Sequence, residues 1–245
     1  MTHVILTKAV PVFALTGLAL CLAGCNSTDA TVEPPVRQAA EMTVMLDASA
    51  STAFIASPSY AEASVRRVGE AMMRQELGDS FRIMNFGDRS AGNGVAIFKV
   101  KSGYAKRLPT VRRDMEAALQ DQMAKNRQRG GDGSTNITFS LENAGIRCTP
   151  RSVVVILTDG IAEDERFSAT KALKAGQPVH LPPPASPFLR GCSVDMIGVG
   201  MAPAGIGQSA QTLPNDQVQH LIAGWREYLS AAGVRPEDMA FTSLL

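Results

Sequence analysis

The sequence predicts an α/β fold: a doubly wound, mostly parallel central sheet with helices on both faces. Three observations predict it. Short apolar runs alternate with longer segments of helical spacing, the pattern of repeated strand-helix units. The stretch "SVVVILTDG" (152–160) carries five consecutive β-branched or leucine residues without alternation. Such a strand is covered on both faces, as central parallel strands are. Two of the runs, "VMLD" and "VILTD", stop at an aspartate, Asp47 and Asp159. Ligands of such sheets collect beyond the carboxyl ends of the strands. A chain of 245 residues suits one such domain and is short for two.

The elements follow in order. "MTVMLD" (42–47) is a short apolar run bounded by polar residues and reads as a buried strand. A helix is expected from about Tyr60 to Glu76. "SFRIMNFG" (80–87) alternates and ends in glycine, as a strand does. "VAIFKVK" (95–101) alternates too, and its short connection makes it a hairpin partner at a sheet edge. "TVRRDMEAALQDQMAKNR" (110–127) has helical spacing and strong helix formers. "GGDGST" (130–135) is a loop, and the helix after it is expected to run to about Arg147. The "SVVVIL" strand comes next, then the proline-rich loop "QPVHLPPPASP", then a further strand in "CSVDMIGVG" (192–200). "DQVQHLIAGWREYLSAAG" (216–233) is an amphipathic helix that stops at Gly233. Trp225 and Tyr228 share its apolar face with Leu221 and Leu229, which predicts core packing. "MAFTSLL" (239–245) is a last strand.

Composition narrows the function. Hydrophobic residues make up 45% and aromatics 5%, which fits an aliphatic core and not an aromatic binding surface. Lys and Arg number 24 against 23 Asp and Glu, so no global field recruits nucleic acid or anionic lipid. The first two dozen residues stand apart. The apolar segment "AVPVFALTGLALCLAG" follows Lys8 and ends at Cys25, too short and too abruptly polar afterwards for a membrane span. "LAGC" resembles a bacterial lipobox, which implies cleavage before Cys25 and a lipid on its sulfur. An ordinary secretory signal with an incidental cysteine is the other reading. Asn26 in place of aspartate points, by resemblance to enterobacterial sorting, to the outer membrane with the domain facing the periplasm. The division is then a leader at 1–24, a flexible tether at 25–39 with a Pro pair, and a domain at 40–245. The lipid is expected to be the only contact with the membrane.

Asp47 and Asp159 reach the same sheet edge if their strands are neighbours. Ser49 and Ser51 then lie in the loop that leaves the first strand. Carboxylates and hydroxyls that converge without histidine or cysteine suit a hard octahedral cation such as Mg²⁺. Two carboxylates so close repel unless a cation sits between them.

"DASAS" (47–51) matches the Asp-x-Ser-x-Ser signature of von Willebrand factor A domains. "GSTNI" supplies Thr135, "LTDG" supplies Asp159, and "VDMIGVG" resembles the next strand of that family. The resemblance covers about residues 40 to 245. It implies a sheet of order 3-2-1-4-5-6, in which the "VMLD" and "VILTD" strands are adjacent. It implies a metal-ion-dependent adhesion site for Mg²⁺ or Mn²⁺. Ser49, Ser51 and Thr135 would ligate directly, Asp47 and Asp159 directly or through water. A partner protein would complete the site with an acidic side chain. Taken singly, the same residues also suit simpler roles: Ser49 and Ser51 in a turn, Thr135 as a helix N-cap, Asp159 as a turn former before Gly160.

An enzyme is the competing class. The histidines are His3 in the leader, His180 in the proline-rich loop and His220 in a helix, which leaves little for a Ser-His-Asp relay. No G-x-S-x-G elbow and no phosphate-binding G-x-x-x-x-G-K-[ST] loop is present. The enzymatic alternative is a metal-dependent phosphohydrolase. A non-enzymatic adhesion protein or assembly scaffold is the expectation. Cys148 and Cys192 each come just before a parallel strand. If those strands are neighbours, spaced about 4.8 Å, the two lie at the amino edge within disulfide reach in an oxidising compartment. Two separate buried thiols are the alternative.

Overall fold

The computed structural model describes residues 37–87, 95–131, 135–163, 167–203 and 210–243. The predicted leader, the lipobox with Cys25 and the tether up to residue 36 lie outside the described residues. The compact unit begins at Gln38. Its elements run β1 (Glu41–Asp47), α1 (Ala53–Ala56), α2 (Pro58–Met72), β2 (Ser80–Phe86), β3 (Val95–Lys101), α3 (Leu108–Arg129) and α4 (Ile137–Asn143). There follow β4 (Ser152–Leu157), α5 (Ala169–Lys174), β5 (Cys192–Ile197), β6 (Met201–Pro203), β7 (Ala210–Thr212), α6 (Asn215–Ala231) and β8 (Met239–Thr242).

Six strands form one sheet in the order β3-β2-β1-β4-β5-β8. All neighbours are parallel except β2 and β3, which pair antiparallel at the edge as the hairpin reading predicts. The order reverses at β1 and β4, so a crevice opens beyond their carboxyl ends. Side-chain alternation feeds a separate core on each face. Val44, Leu46, Val153, Val155 and Leu157 pack with Phe54, Val65, Met115 and Leu119 from α1, α2 and α3. Met45, Val154 and Ile156 pack with Leu141, Leu173, Leu221 and Trp225 from α4, α5 and α6. Every residue of β4 is buried, which is why its sequence shows no polar alternation.

Several boundaries differ from the sequence reading, for local reasons. α2 begins earlier, because Pro58 occupies its first turn and the Ser57 hydroxyl accepts from the Tyr60 N–H. α4 stops at Asn143 and not near Arg147, since Gly145 takes a left-handed φ of 59°. α1, α5 and the β6–β7 hairpin are too short to show a period, and the sequence gives no sign of them. Trp225 and Tyr228 are fully buried and meet edge to face with ring centroids 5.6 Å apart, which bears out core packing. At the amino ends of β4 and β5, Cys148 and Cys192 are joined as a disulfide with Cα atoms 4.9 Å apart. No helix among the described residues is long and apolar enough to cross a membrane.

Candidate metal centre

The two strand-end aspartates meet as their sequence positions predict. β1 and β4 pair in register with Leu46 opposite Leu157, so Asp47 and the residues after Leu157 come out at one level of the sheet edge. Both carboxylates are buried, Asp47 at 0% exposure and Asp159 at 1%. Asp47 Oδ1 accepts from the Ser49 N–H at 2.8 Å and from the Thr135 hydroxyl at 3.3 Å. Its Oδ2 accepts from the Thr158 hydroxyl at 2.7 Å. Asp159 Oδ1 accepts from the Ile161 N–H at 2.8 Å. Asp159 Oδ2 is buried and has no hydrogen-bond partner among the described residues.

The hydroxyls complete the cluster. Ser49 Oγ and Ser51 Oγ lie 3.1 Å apart, so the alternate spacing does turn both side chains to one point. The loop holds them there by its own turns: the Thr52 N–H and hydroxyl both donate to the Ser49 carbonyl. Thr135 comes from the loop before α4. It is not the helix cap, because Asn136 takes that place and accepts from the Phe139 N–H. The Thr135 side chain is therefore left for Asp47, and its carbonyl accepts from the Glu163 N–H in the loop after β4. Asp47 and Asp159 also form turns through Ser49 and Ile161, so turn and site coexist in the same side chains.

Two glycines let the loops close on each other. A Cβ on Gly131 would come within 2.6 Å of the Ala50 backbone, so Gly131 lies directly against the serine loop. Gly160 has φ of 79°, and its carbonyl accepts from the Trp225 indole N–H at 2.8 Å. That bond fixes the turn after Asp159 to α6.

Electrostatics set the character of the cluster. Burial pushes the Asp47 carboxyl up from 3.8 to about 6, against the opposing pull of its hydrogen bonds from Ser49, Thr158 and Thr135. Burial pushes Asp159 up to about 7, and the charge of Asp47 adds to it, against the pull of the Ser51 hydroxyl and the Ile161 N–H; Glu163 raises it more weakly. No Lys or Arg supplies a countercharge to either aspartate among the described residues. The cluster thus has two desolvated carboxylates, one of them with an orphaned oxygen, and three hydroxyls around them. An oxygen-only donor set with surplus negative charge fits a hard divalent cation. All five residues predicted from the sequence are brought together: Asp47, Ser49, Ser51, Thr135 and Asp159. Sequence reasoning missed Thr158, which donates to Asp47 and accepts from the Gly160 N–H at 3.0 Å. Its only signal was a hydroxyl interrupting an apolar strand just before Asp159.

No protein-family model and no curated protein matches this chain. Solved structures do. The conserved hypothetical protein BatB from Bacteroides thetaiotaomicron is 16% identical, with 84% of this chain and 90% of that one covered and a TM-score of 0.45. An aerotolerance-related membrane protein from Bacteroides fragilis is 17% identical over 84% of this chain and 92% of that one, with a TM-score of 0.44. A von Willebrand factor type A protein from Catenulispora acidiphila is 14% identical over 80% of this chain and 43% of that one, with a TM-score of 0.38. With its one antiparallel edge and helices on both faces, the sheet has a doubly wound α/β fold, in the strand order that the sequence resemblance to von Willebrand factor A domains implies, with β8 as its sixth strand.

Proposed function

We propose that the chain is a lipid-anchored protein of the bacterial cell envelope that binds a protein partner through a divalent cation, as an adhesion protein or assembly scaffold. Asp47, Ser49, Ser51, Thr135 and Asp159 would hold Mg²⁺ or Mn²⁺. The anchor would be a lipid on Cys25, on the outer membrane with the domain facing the periplasm. The observation that carries the reading is Asp159 Oδ2: a buried carboxylate oxygen with no hydrogen-bond partner among the described residues, beside a second buried carboxylate and near the Ser51 hydroxyl. An uncompensated pair of this kind costs stability unless a cation neutralises it.

When bound, the cation supplies a positive centre with room for a carboxylate from the partner. The chain's own residues do the rest. Thr158 and the Ser49 N–H hold the Asp47 carboxylate still, and the Ile161 N–H orients Asp159. Ser51 is exposed and marks the open side of the site. We assign the site to binding and not to catalysis, because its donors are carboxylates and hydroxyls with no histidine among their described partners.

Titration calorimetry with Mg²⁺ tests the site. The wild-type protein should bind, and Asp47→Ala should not. Capture of envelope proteins should likewise depend on the cation. A partner held equally well in EDTA would rule out this mechanism for that partner.

A further inference from the structure

The edge of the sheet opposite the metal centre carries a feature that the binding site does not use. The chain enters the domain there: the Ala40 N–H donates to buried Asp79, and the Ser80 N–H donates to the Ala40 carbonyl. Two loops share that edge. One joins α2 to β2, and the other joins β3 to α3. They are tied together by Ser102, whose hydroxyl accepts from the Gly78 N–H and lies within hydrogen-bond distance of the Glu76 and Asp79 carbonyls.

These loops display apolar side chains to solvent. Tyr104 is 93% exposed at the tip of the turn closed by Gly103 and Lys106, Met73 is 71% exposed and Leu77 is 41% exposed. Beside them an apolar groove of about 460 Å³ runs between the end of α2 and the start of α3, lined by Met72, Met73, Gln75, Leu108, Pro109 and Arg112. The only other large hydrophobic residue exposed among those described is Phe139, on α4 one turn beyond Thr135 at the metal-centre edge. Charge is concentrated here as well. Segments 73–79 and 101–114 hold six Lys or Arg against three acids, and one of those acids, Asp79, is buried against Arg151. Lys106 and Arg113 share Asp114, and Arg112 pairs with Glu116 just beyond the segment, so the rim around the apolar tip keeps a modest basic excess.

We propose that this edge lies on the surface of the bilayer that holds the lipid, with Tyr104, Met73 and Leu77 in the headgroup region and the basic rim against anionic phospholipid. The proposal rests on the lipid anchor proposed above. Twelve residues separate Cys25 from Gln38, so even fully extended they reach at most about 45 Å. The lipid would therefore hold the domain within that distance of the membrane, and the apolar tip and basic rim would turn this edge towards it. A tyrosine flanked by Lys and Arg is the composition of membrane interfaces. Contact with the membrane would then have two parts, the lipid and this edge, where the sequence predicts the lipid alone. The metal centre, one strand length of about 23 Å further out, would face away from the membrane towards a partner.

The full-length chain reconstituted into vesicles of phosphatidylethanolamine and phosphatidylglycerol tests both parts. Flotation of wild type against Cys25→Ser reads the anchor alone. Tyr104→Trp then reports the edge, since the native Trp225 is fully buried. In vesicles with brominated acyl chains, the emission added by Tyr104→Trp should be mostly lost, while that added by Phe139→Trp persists. Replacing phosphatidylglycerol with phosphatidylcholine should weaken the quenching. A protein that floats but shows no quenching at position 104, or equal quenching at 139, overturns the membrane-facing edge and leaves the anchor standing; Tyr104 would then belong to a protein contact. Wild type that floats no better than Cys25→Ser overturns the anchor and this proposal with it.

Discussion

Asp159 concentrates the chemistry of the site in one side chain. It is buried, its Oδ2 has no hydrogen-bond partner among the described residues, and Asp47 stands beside it with the same charge. Both carboxyls are raised above 3.8, Asp47 to about 6 and Asp159 to about 7. Without a cation, the folded state therefore holds more protons than the unfolded chain between about pH 4 and pH 7. A raised folded value gives stability that is present below the unfolded value and lost as pH rises through the folded one. In EDTA, Tm should fall between pH 5 and pH 8, and saturating Mg²⁺ should remove most of that fall. Asp159→Asn should raise Tm in EDTA at pH 8 and abolish the Mg²⁺ effect. A Tm that is flat or rises with pH in EDTA would contradict the assignment of both shifts. Thr158 gives a second prediction. Thr158→Val leaves Asp47 Oδ2 buried without its donor, at a cost of about 1–3 kcal/mol, or roughly 2–4 °C of Tm for each kcal/mol in a domain of this size. Magnesium affinity should also weaken, since Asp47 loses the bond that orients it. The five ligand candidates were legible because hydroxyls and carboxylates stand out at the ends of apolar runs. Thr158 was not, because a threonine within a strand is ordinary β composition.

At the scale of elements, legibility followed length and burial. β4 was plain from five consecutive apolar residues, and α3 and α6 from several turns of helical period. β3 was placed at the edge by its alternation and short connection, and the antiparallel pairing agrees. Elements of three to six residues, α1, α5, β6 and β7, carry too few residues for any period to register. The adjacency of β4 and β5 is visible in their cysteines, which sit at matching amino ends. Closing the loop between Cys148 and Cys192 is worth about 4 kcal/mol in the chain-entropy account. Mass spectrometry of the unreduced, digested protein should find these two cysteines in one linked peptide pair, and reduction should lower Tm. Two thiols that alkylate quantitatively in denaturant without reductant would refute the bond.

On the readings proposed above, the whole molecule would work at two opposite edges of its sheet. The five parallel strands put their carboxyl ends on one edge, so a sheet that gathers Asp47, Thr158 and Asp159 there has the amino end of β1, at Glu41, on the other. The sequence offers the motif "DASAS" but not its place at the carboxyl edge beside Asp159, which depends on strand order. The last prediction concerns the anchor. Cells supplied with a clickable fatty acid should label the wild-type chain. Cys25→Ser should abolish the label, release the protein from the membrane fraction and leave the Mg²⁺ response of the domain unchanged, because Cys25 lies outside the compact unit that starts at Gln38. A wild-type chain that takes up no lipid, yet stays with the membrane, would show that something other than Cys25 holds it there. If the protein is instead released from the membrane by Cys25→Ser but still captures its partner in a Mg²⁺-dependent way, anchoring and binding are separable functions, as the proposed division into tether and domain expects.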